Sequence, residues 1–141
     1  MTPAVWFIVA FVVADLMVAL IVVRGFTKSM FSDLAEAYPP HEPCDLRHDR
    51  RAQSFSMGLL NFGFSVRVRI DERFVHLAPE PWVFWTGMPR TSIPIDKIKA
   101  TGQARKSWLA HSFEIDSDRS HLELRGPKWL WMLLGERRSQ S

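Results

Sequence analysis

The chain has one cysteine, one tyrosine and, before Arg24, no lysine or arginine. The single thiol, Cys44, has no partner for an intrachain disulfide, which excludes a disulfide scaffold and fits a reducing compartment. His41, Cys44, His48 and Asp49 carry zinc donors, but no paired C-x-x-C or H-x-x-x-H spacing supports them, so they read as linker residues and no metal is expected. G-x-S-x-G, H-E-x-x-H, a phosphate loop and a dinucleotide fingerprint are all missing. The carboxylates are scattered at turns, and a lone Cys beside a proline-rich stretch makes a poor nucleophile. No catalysis and no cofactor are expected.

Charge is nearly absent from Pro3 to Val23, PAVWFIVAFVVADLMVALIVV, where Asp15 stands alone. At 1.5 Å per residue this stretch crosses a hydrocarbon core of about 30 Å as a helix. About 13 Val, Ile, Leu and Phe residues at roughly −0.3 to −0.6 kcal/mol each outweigh one central Asp at about +2.5 to +3.5. A cleaved signal peptide would need a basic start, a shorter apolar run and a small-x-small exit, whereas the exit here is Val22-Val23-Arg24-Gly25-Phe26. An uncleaved single-pass anchor is expected. Arg24 and Lys28 follow the span and nothing basic precedes it, so the positive-inside rule puts the N-terminus outside and the rest of the chain in the cytoplasm, at the inner or plasma membrane. Asp15 is an intramembrane carboxylate, a group that marks contact with a partner helix in a larger membrane complex. The alternative is a protonated or water-reached carboxyl that the helix tolerates.

The 141 residues carry a formal net charge of +3, and all 18 Lys and Arg lie at or after Arg24. That mild, dispersed excess suits an anionic membrane surface and is too weak for nucleic acid. Beyond the anchor (1–24) come a juxtamembrane segment and linker (25–44), one domain (45–135) and a basic tail (136–141). In the juxtamembrane segment Ser32 is placed to start a short helix, with Phe31, Leu34, Ala35 and Tyr38 at helical spacing. That helix would lie on the bilayer or pack on the domain. Pro39, Pro40 and Pro43 then exclude a helix.

From Ala52 the period becomes alternating. Gln53–Met57 reads as a strand, and Phe64, Val66, Val68 and Ile70 alternate with Ser65, Arg67, Arg69 and Asp71 in a half-buried one. Phe74–Leu77 answers as a hairpin partner. Trp82–Trp85 reads as a short apolar strand, Ser92–Ile98 as an extended edge bent at Pro94, and Trp108–Ile115 and His121–Leu124 as two more strands. Gly126-Pro127 ends the strands, and Lys128–Glu136, KWLWMLLGE, reads as a final helix apolar almost all round, expected to close the domain, with membrane or partner contact as the alternative; Trp82, Phe84 and Trp85 pose the same choice.

Six or seven short antiparallel strands, the segment Ile93-Pro94-Ile95-Asp96 to Ile98 and the closing helix together resemble the pleckstrin-homology-like (PH-like) and GRAM-like superfold. The resemblance covers roughly residues 45–135 of a membrane-tethered, bacterial-type protein. It implies a small, mainly β sandwich or barrel closed by a C-terminal helix, and a module that binds lipid headgroups or a protein partner. Phosphoinositide-binding members carry Arg-x-Arg on an early strand, which Arg67-Val68-Arg69 matches. The base expected just before it would be Arg51, which is Arg in place of Lys and lies farther back. Two guanidinium groups on one strand face present forked donors to a phosphate, and Arg67 and Arg69 both point away from the core if the strand alternates. The same face could equally be a solvated one with salt bridges to acids. Arg105, Lys106 and Trp108 form a basic-aromatic loop suited to an anionic headgroup layer, unless Trp108 starts a strand and fills the core. Membrane lipids and a membrane protein reached through Asp15 are the expected partners.

Overall fold

The computed structural model describes residues 2–57, 60–103, 111–117 and 121–140. The loop with Arg105, Lys106 and Trp108 lies outside the described residues. Helix α1 (Pro3–Ala37) runs unbroken for 35 residues, about 52 Å at 1.5 Å per residue. It is long and apolar enough to cross a membrane. No second helix begins at Ser32. The Ser32 hydroxyl bonds back to the Ser29 carbonyl within the same helix, at 3.0 Å, instead of capping a new one. Gly25 inside the helix costs about 1 kcal/mol relative to Ala, which packing of the following turns offsets. Thr27, Phe31 and Leu34 share one helical face and are buried. The end of α1 is thus built into the domain, and the core begins well before residue 45. The Tyr38 N–H returns to the Leu34 carbonyl at 2.9 Å, and the two prolines that follow stop the helix.

Among the described residues seven strands follow: β1 (His48–Met57), β2 (Leu60–Ile70), β3 (Phe74–Pro79), β4 (Thr91–Pro94), β5 (Ile98–Gln103), β6 (His111–Asp116) and β7 (His121–Gly126). They form one antiparallel sheet in the order β4-β3-β2-β1-β7-β6-β5. β1 starts earlier than its alternation indicates because its first half is solvent-exposed and carries no apolar period to read. β4 and β5 are the two edges, yet only Ile95–Lys97 separates them. That connector reaches at most about 14 Å, whereas seven flat strands would span about 29 Å. The sheet is therefore curled until its edges approach at this corner.

The expected strand at Trp82–Trp85 is instead a pair of 3-10 turns over Pro81–Thr86. Pro81 presets φ and removes a ladder donor. The Val83 N–H bonds the Glu80 carbonyl, the Thr86 hydroxyl bonds the Val83 carbonyl, and Gly87 at φ +69° ends the turn. Phe64, expected inside with Val66, Val68 and Ile70, is exposed. Its φ of +54° marks a bulge opposite Ser54, whose hydroxyl accepts the Phe64 N–H at 3.0 Å. A bulge re-aims the side chain it carries.

Val66, Val68, Ile70, Val75, Ile93, Phe113, Ile115 and Leu124 fill the inside of the curl. The turn Pro81–Thr86 and β4 pack on α1, and helix α2 (Lys128–Ser139) packs on β5 and β6. α2 buries Leu130 and Leu134. The Trp129 indole N–H donates to Gln53 Oε1 at 2.7 Å and the Trp131 indole to the Thr101 carbonyl at 2.8 Å. The last residue of β7, Gly126, has no room for a side chain, since a Cβ there would lie 2.7 Å from Phe55 Cε1 and 3.0 Å from Phe113 Cε2. Both rings are buried. Gly126→Ala is expected to cost about 1–3 kcal/mol by overpacking, read as a lower denaturation midpoint of the purified chain. An unchanged midpoint would show that the rings yield freely.

Candidate functional site

The outer face of the sheet carries a row of polar side chains fixed by register. Asp49 on β1 pairs with Arg69 on β2, Arg69 with His76 on β3, and His76 with Ser92 on β4. Alternation puts Arg67 on this same face, while Val66, Val68 and Ile70 are buried on the other. Arg67 and Arg69 therefore both point away from the core. Their states differ. Arg67 forms a fork with Asp49, Nε to Oδ1 at 3.0 Å and Nη2 to Oδ2 at 2.7 Å. The hydrogen bond from Arg67, with the charges of Arg67, Arg69 and Arg51, holds the Asp49 carboxyl below the usual carboxylate range despite some burial. The Nε of Arg69 is buried and has no hydrogen-bond partner among the described residues.

The stretch after α1 crosses this face as a strap. His41 N–H donates to Ser92 Oγ at 2.8 Å, and Thr91 Oγ1 donates to the Tyr38 carbonyl at 2.7 Å. The Tyr38 hydroxyl reaches the Asp116 carbonyl, and Cys44 N–H donates to Asp71 Oδ2 at 3.4 Å. Beneath the strap, His76 Nδ1 lies 2.7 Å from Ser92 Oγ and His76 Nε2 lies 2.7 Å from Asp71 Oδ2. Asp71 Oδ1 also accepts the N–H groups of Arg73 at 2.8 Å and Phe74 at 2.7 Å, closing the β2–β3 turn. Burial pushes the Asp71 carboxyl up, but the hydrogen bonds from His76, Phe74, Arg73 and Cys44 outweigh it and hold the pKa at about 2.

Asp71, His76 and Ser92 have the side chains of a hydrolase triad. Here Ser92 is only 2% exposed, and its oxygen is occupied by the strap's own N–H. The arrangement acts as a latch that ties strap, turn and edge strand together. Nothing in local sequence announced it, since the three residues come from the β2–β3 turn, β3 and β4 and meet only through register. The same holds for Glu80, which is buried and accepts Arg51 Nη2 at 3.0 Å and the N–H of Ala52 at 3.1 Å. Ala52 stands at φ +53°, which aims that N–H out of the ladder. The Arg51 hydrogen bond holds the Glu80 carboxyl below its usual value against burial. Arg51 is thus committed to Glu80 rather than to the Arg67 and Arg69 face.

Between strap and sheet lies a cleft of about 230 Å³, with Pro40 and Pro43 on the strap side and Arg69, Ala78, Arg90 and His76 on the sheet side. Arg69 and Arg90 bring two cationic groups to it. A larger groove of about 520 Å³ runs between Arg73, Pro94 and the end of α2, with Glu72 and Asp96 beside Arg137 and Arg138. Its mixed charge offers no single-sign field. The described residues contain no cluster of His, Cys, Asp and Glu suited to a metal. Asp15 sits in the part of α1 exposed along its whole length within this chain. No protein-family model, curated protein or solved structure matches this chain.

Proposed function

We propose that the chain is a single-pass membrane protein whose PH-like β-domain is a binding module, held at the cytoplasmic surface with the N-terminus outside. The observation that carries this reading is that α1 both supplies the apolar span and buries Phe31 and Leu34 in the core of the β-domain. No flexible linker separates anchor from domain, so the sheet is presented in a set orientation. The PH-like part of the reading is supported by seven antiparallel strands, the curl that brings β4 near β5, and the closing helix α2.

The ligand is an anionic group taken at Arg69 and Arg90, and depth favours an acidic protein partner over a lipid headgroup. Thr91 is bonded to Tyr38, fourteen residues past Arg24 and hence about 20 Å farther along the axis. The headgroup layer outside the hydrocarbon is only about 5–8 Å deep.

The test uses the full chain in nanodiscs with a fluorophore on Cys44, which is free and exposed, and polyglutamate as the acidic probe. Hydrogen bonds to charged groups are worth about 1.5–3 kcal/mol, so Arg69→Gln with Arg90→Gln is expected to weaken probe binding by about tenfold or more. Arg67→Gln, whose fork Asp49 already occupies, should change it little. Equal binding by the double variant would remove the anion reading from this face. A Cys44 response to phosphatidylglycerol in the disc, with none to polyglutamate, would restore the lipid reading. A second reading, an accessory subunit of a larger membrane complex, rests on Asp15, because a carboxylate at mid-span is stabilised by a partner helix.

A further inference from the structure

The turn Pro81–Thr86 buries Val83 and Thr86 and turns its three aromatic side chains outward. Trp82 is 58% exposed, Phe84 76% and Trp85 39%. Two more large exposed aromatics neighbour, along the chain, residues that touch this turn or its start. Phe64 is 62% exposed and adjoins the corner where the Glu80 N–H bonds the Ser65 carbonyl at 2.8 Å. Phe26 is 47% exposed on α1. A soluble surface rarely gathers such side chains without a partner.

Their position along α1 names the partner. The turn packs on α1, and Gly87, which ends it, lies against the Arg24 side chain, so that a Cβ there would be 3.5 Å from Arg24 Cγ and Nε. Arg24 is the first residue after the apolar run. The turn is therefore level with the end of the span, at the boundary between hydrocarbon and headgroups. Indole rings favour that layer, and a flanking Arg extends its guanidinium toward the phosphates. The bulge at Phe64 serves the same arrangement, because its left-handed backbone sends outward a ring that strict alternation would send into the core.

We infer that Trp82, Phe84 and Trp85 form a second, interfacial membrane contact, seated in the bilayer that α1 crosses. Arg24 on α1 and Phe64 on β2 flank this contact, and Phe26 lies at the same depth along α1. It holds the domain against the membrane on one side of the helix and directs the Arg69 and Arg90 cleft toward the cytoplasm. The inference rests on the single-pass membrane reading above.

The test uses full chains with Cys44→Ser and one new cysteine, Phe84→Cys or Trp82→Cys, each carrying an environment-sensitive fluorophore. They are reconstituted in vesicles of phosphatidylcholine with a minor share of phosphatidylglycerol, and Leu46→Cys, an exposed strap position, is the reference. Both substituted aromatics are exposed, so the core is untouched. At positions 84 and 82 the emission is expected to shift to the blue and to lose most of its intensity when the lipids carry nitroxide high on the acyl chain. The label at 46 should keep its intensity. Unquenched, red-shifted emission at 84 and 82 from chains that resist carbonate extraction would overturn the inference and leave the anchor standing. Blue-shifted emission without nitroxide quenching would also overturn it, because a protein surface would then cover the turn. Extraction by carbonate would overturn the anchor itself and the interfacial contact with it.

Discussion

Replacing Phe31 and Leu34 together with alanine is expected to unfold the β-domain while leaving the chain in the membrane. Phe31 is 2% exposed and Leu34 fully buried, and Phe31 meets the Phe62 ring edge-on at 5.2 Å between centroids. Large-to-alanine changes at such sites cost about 2–5 kcal/mol each, because the cavity closes only in part. Two of them approach the 5–15 kcal/mol typical of a whole domain. The apolar run Pro3–Val23 is untouched, so carbonate extraction should still leave the variant in the pellet, while its near-ultraviolet dichroism collapses and protease cuts the strands. Phe26→Ala on the exposed side of the same helix should stay within about 0.5 kcal/mol of the parent in stability. A double variant that melted with the parent's transition would show α1 to be an external tether.

The second large effect is expected at the latch. Asp71→Ala removes a carboxylate that accepts His76 Nε2 and three backbone N–H groups. Breaking one side of a buried, hydrogen-bonded network of this kind costs about 3–5 kcal/mol. At about 4–8 °C per kcal/mol for a domain near this size, the melting temperature of the full chain in neutral detergent should fall by more than 10 °C. Acid titration provides an independent check. The Asp71 pKa is depressed from 3.8 to about 2 in the folded chain, so the folded state favours the ionised carboxylate. Its contribution is fully present above about pH 4 and is lost as pH falls toward 2. The size is about 2 kcal/mol at 1.36 kcal/mol per unit. Asp49 and Glu80 are also depressed, so the parent loses stability in acid for several reasons. The gap between parent and Asp71→Ala isolates this one and should narrow across that window. A gap constant from pH 5 to pH 2 would show that Asp71 carries no charge-dependent stability.

Local pattern was enough for elements whose surroundings are uniform. The apolar run of α1 and the alternation of Val66, Val68 and Ile70 declare themselves because every second or every successive residue meets the same solvent. α2 could be placed from Pro127 and its apolar turns, and its tryptophans do find hydrogen-bond partners in the domain. Where the environment changes along one element, the pattern fails. β1 begins exposed and ends buried, so its first half was invisible. Trp82–Trp85 looked like a strand by composition, but two prolines and Gly87 left no ladder for it to join.

By itself the sequence determined that a long apolar helix precedes a mainly β domain closed by a second helix, because hydrophobic period and proline placement are properties of neighbours along the chain. Only the tertiary structure decided that α1 continues to Ala37 and enters the core, because Phe31 and Leu34 gain more from burial beside Phe62 than Gly25 and the exposed helix surface lose. It also decided which arginines are committed. Arg67 and Arg69 are equivalent in sequence, yet Asp49, opposite Arg69 in register, reaches diagonally to fork with Arg67 and leaves Arg69 facing the strap cleft. The latch of Asp71, His76 and Ser92 and the level of the aromatic turn beside Arg24 are likewise products of pairing between distant segments. A buried polar group takes whichever partner the sheet brings within hydrogen-bond distance, and distance in space is what a linear pattern does not contain.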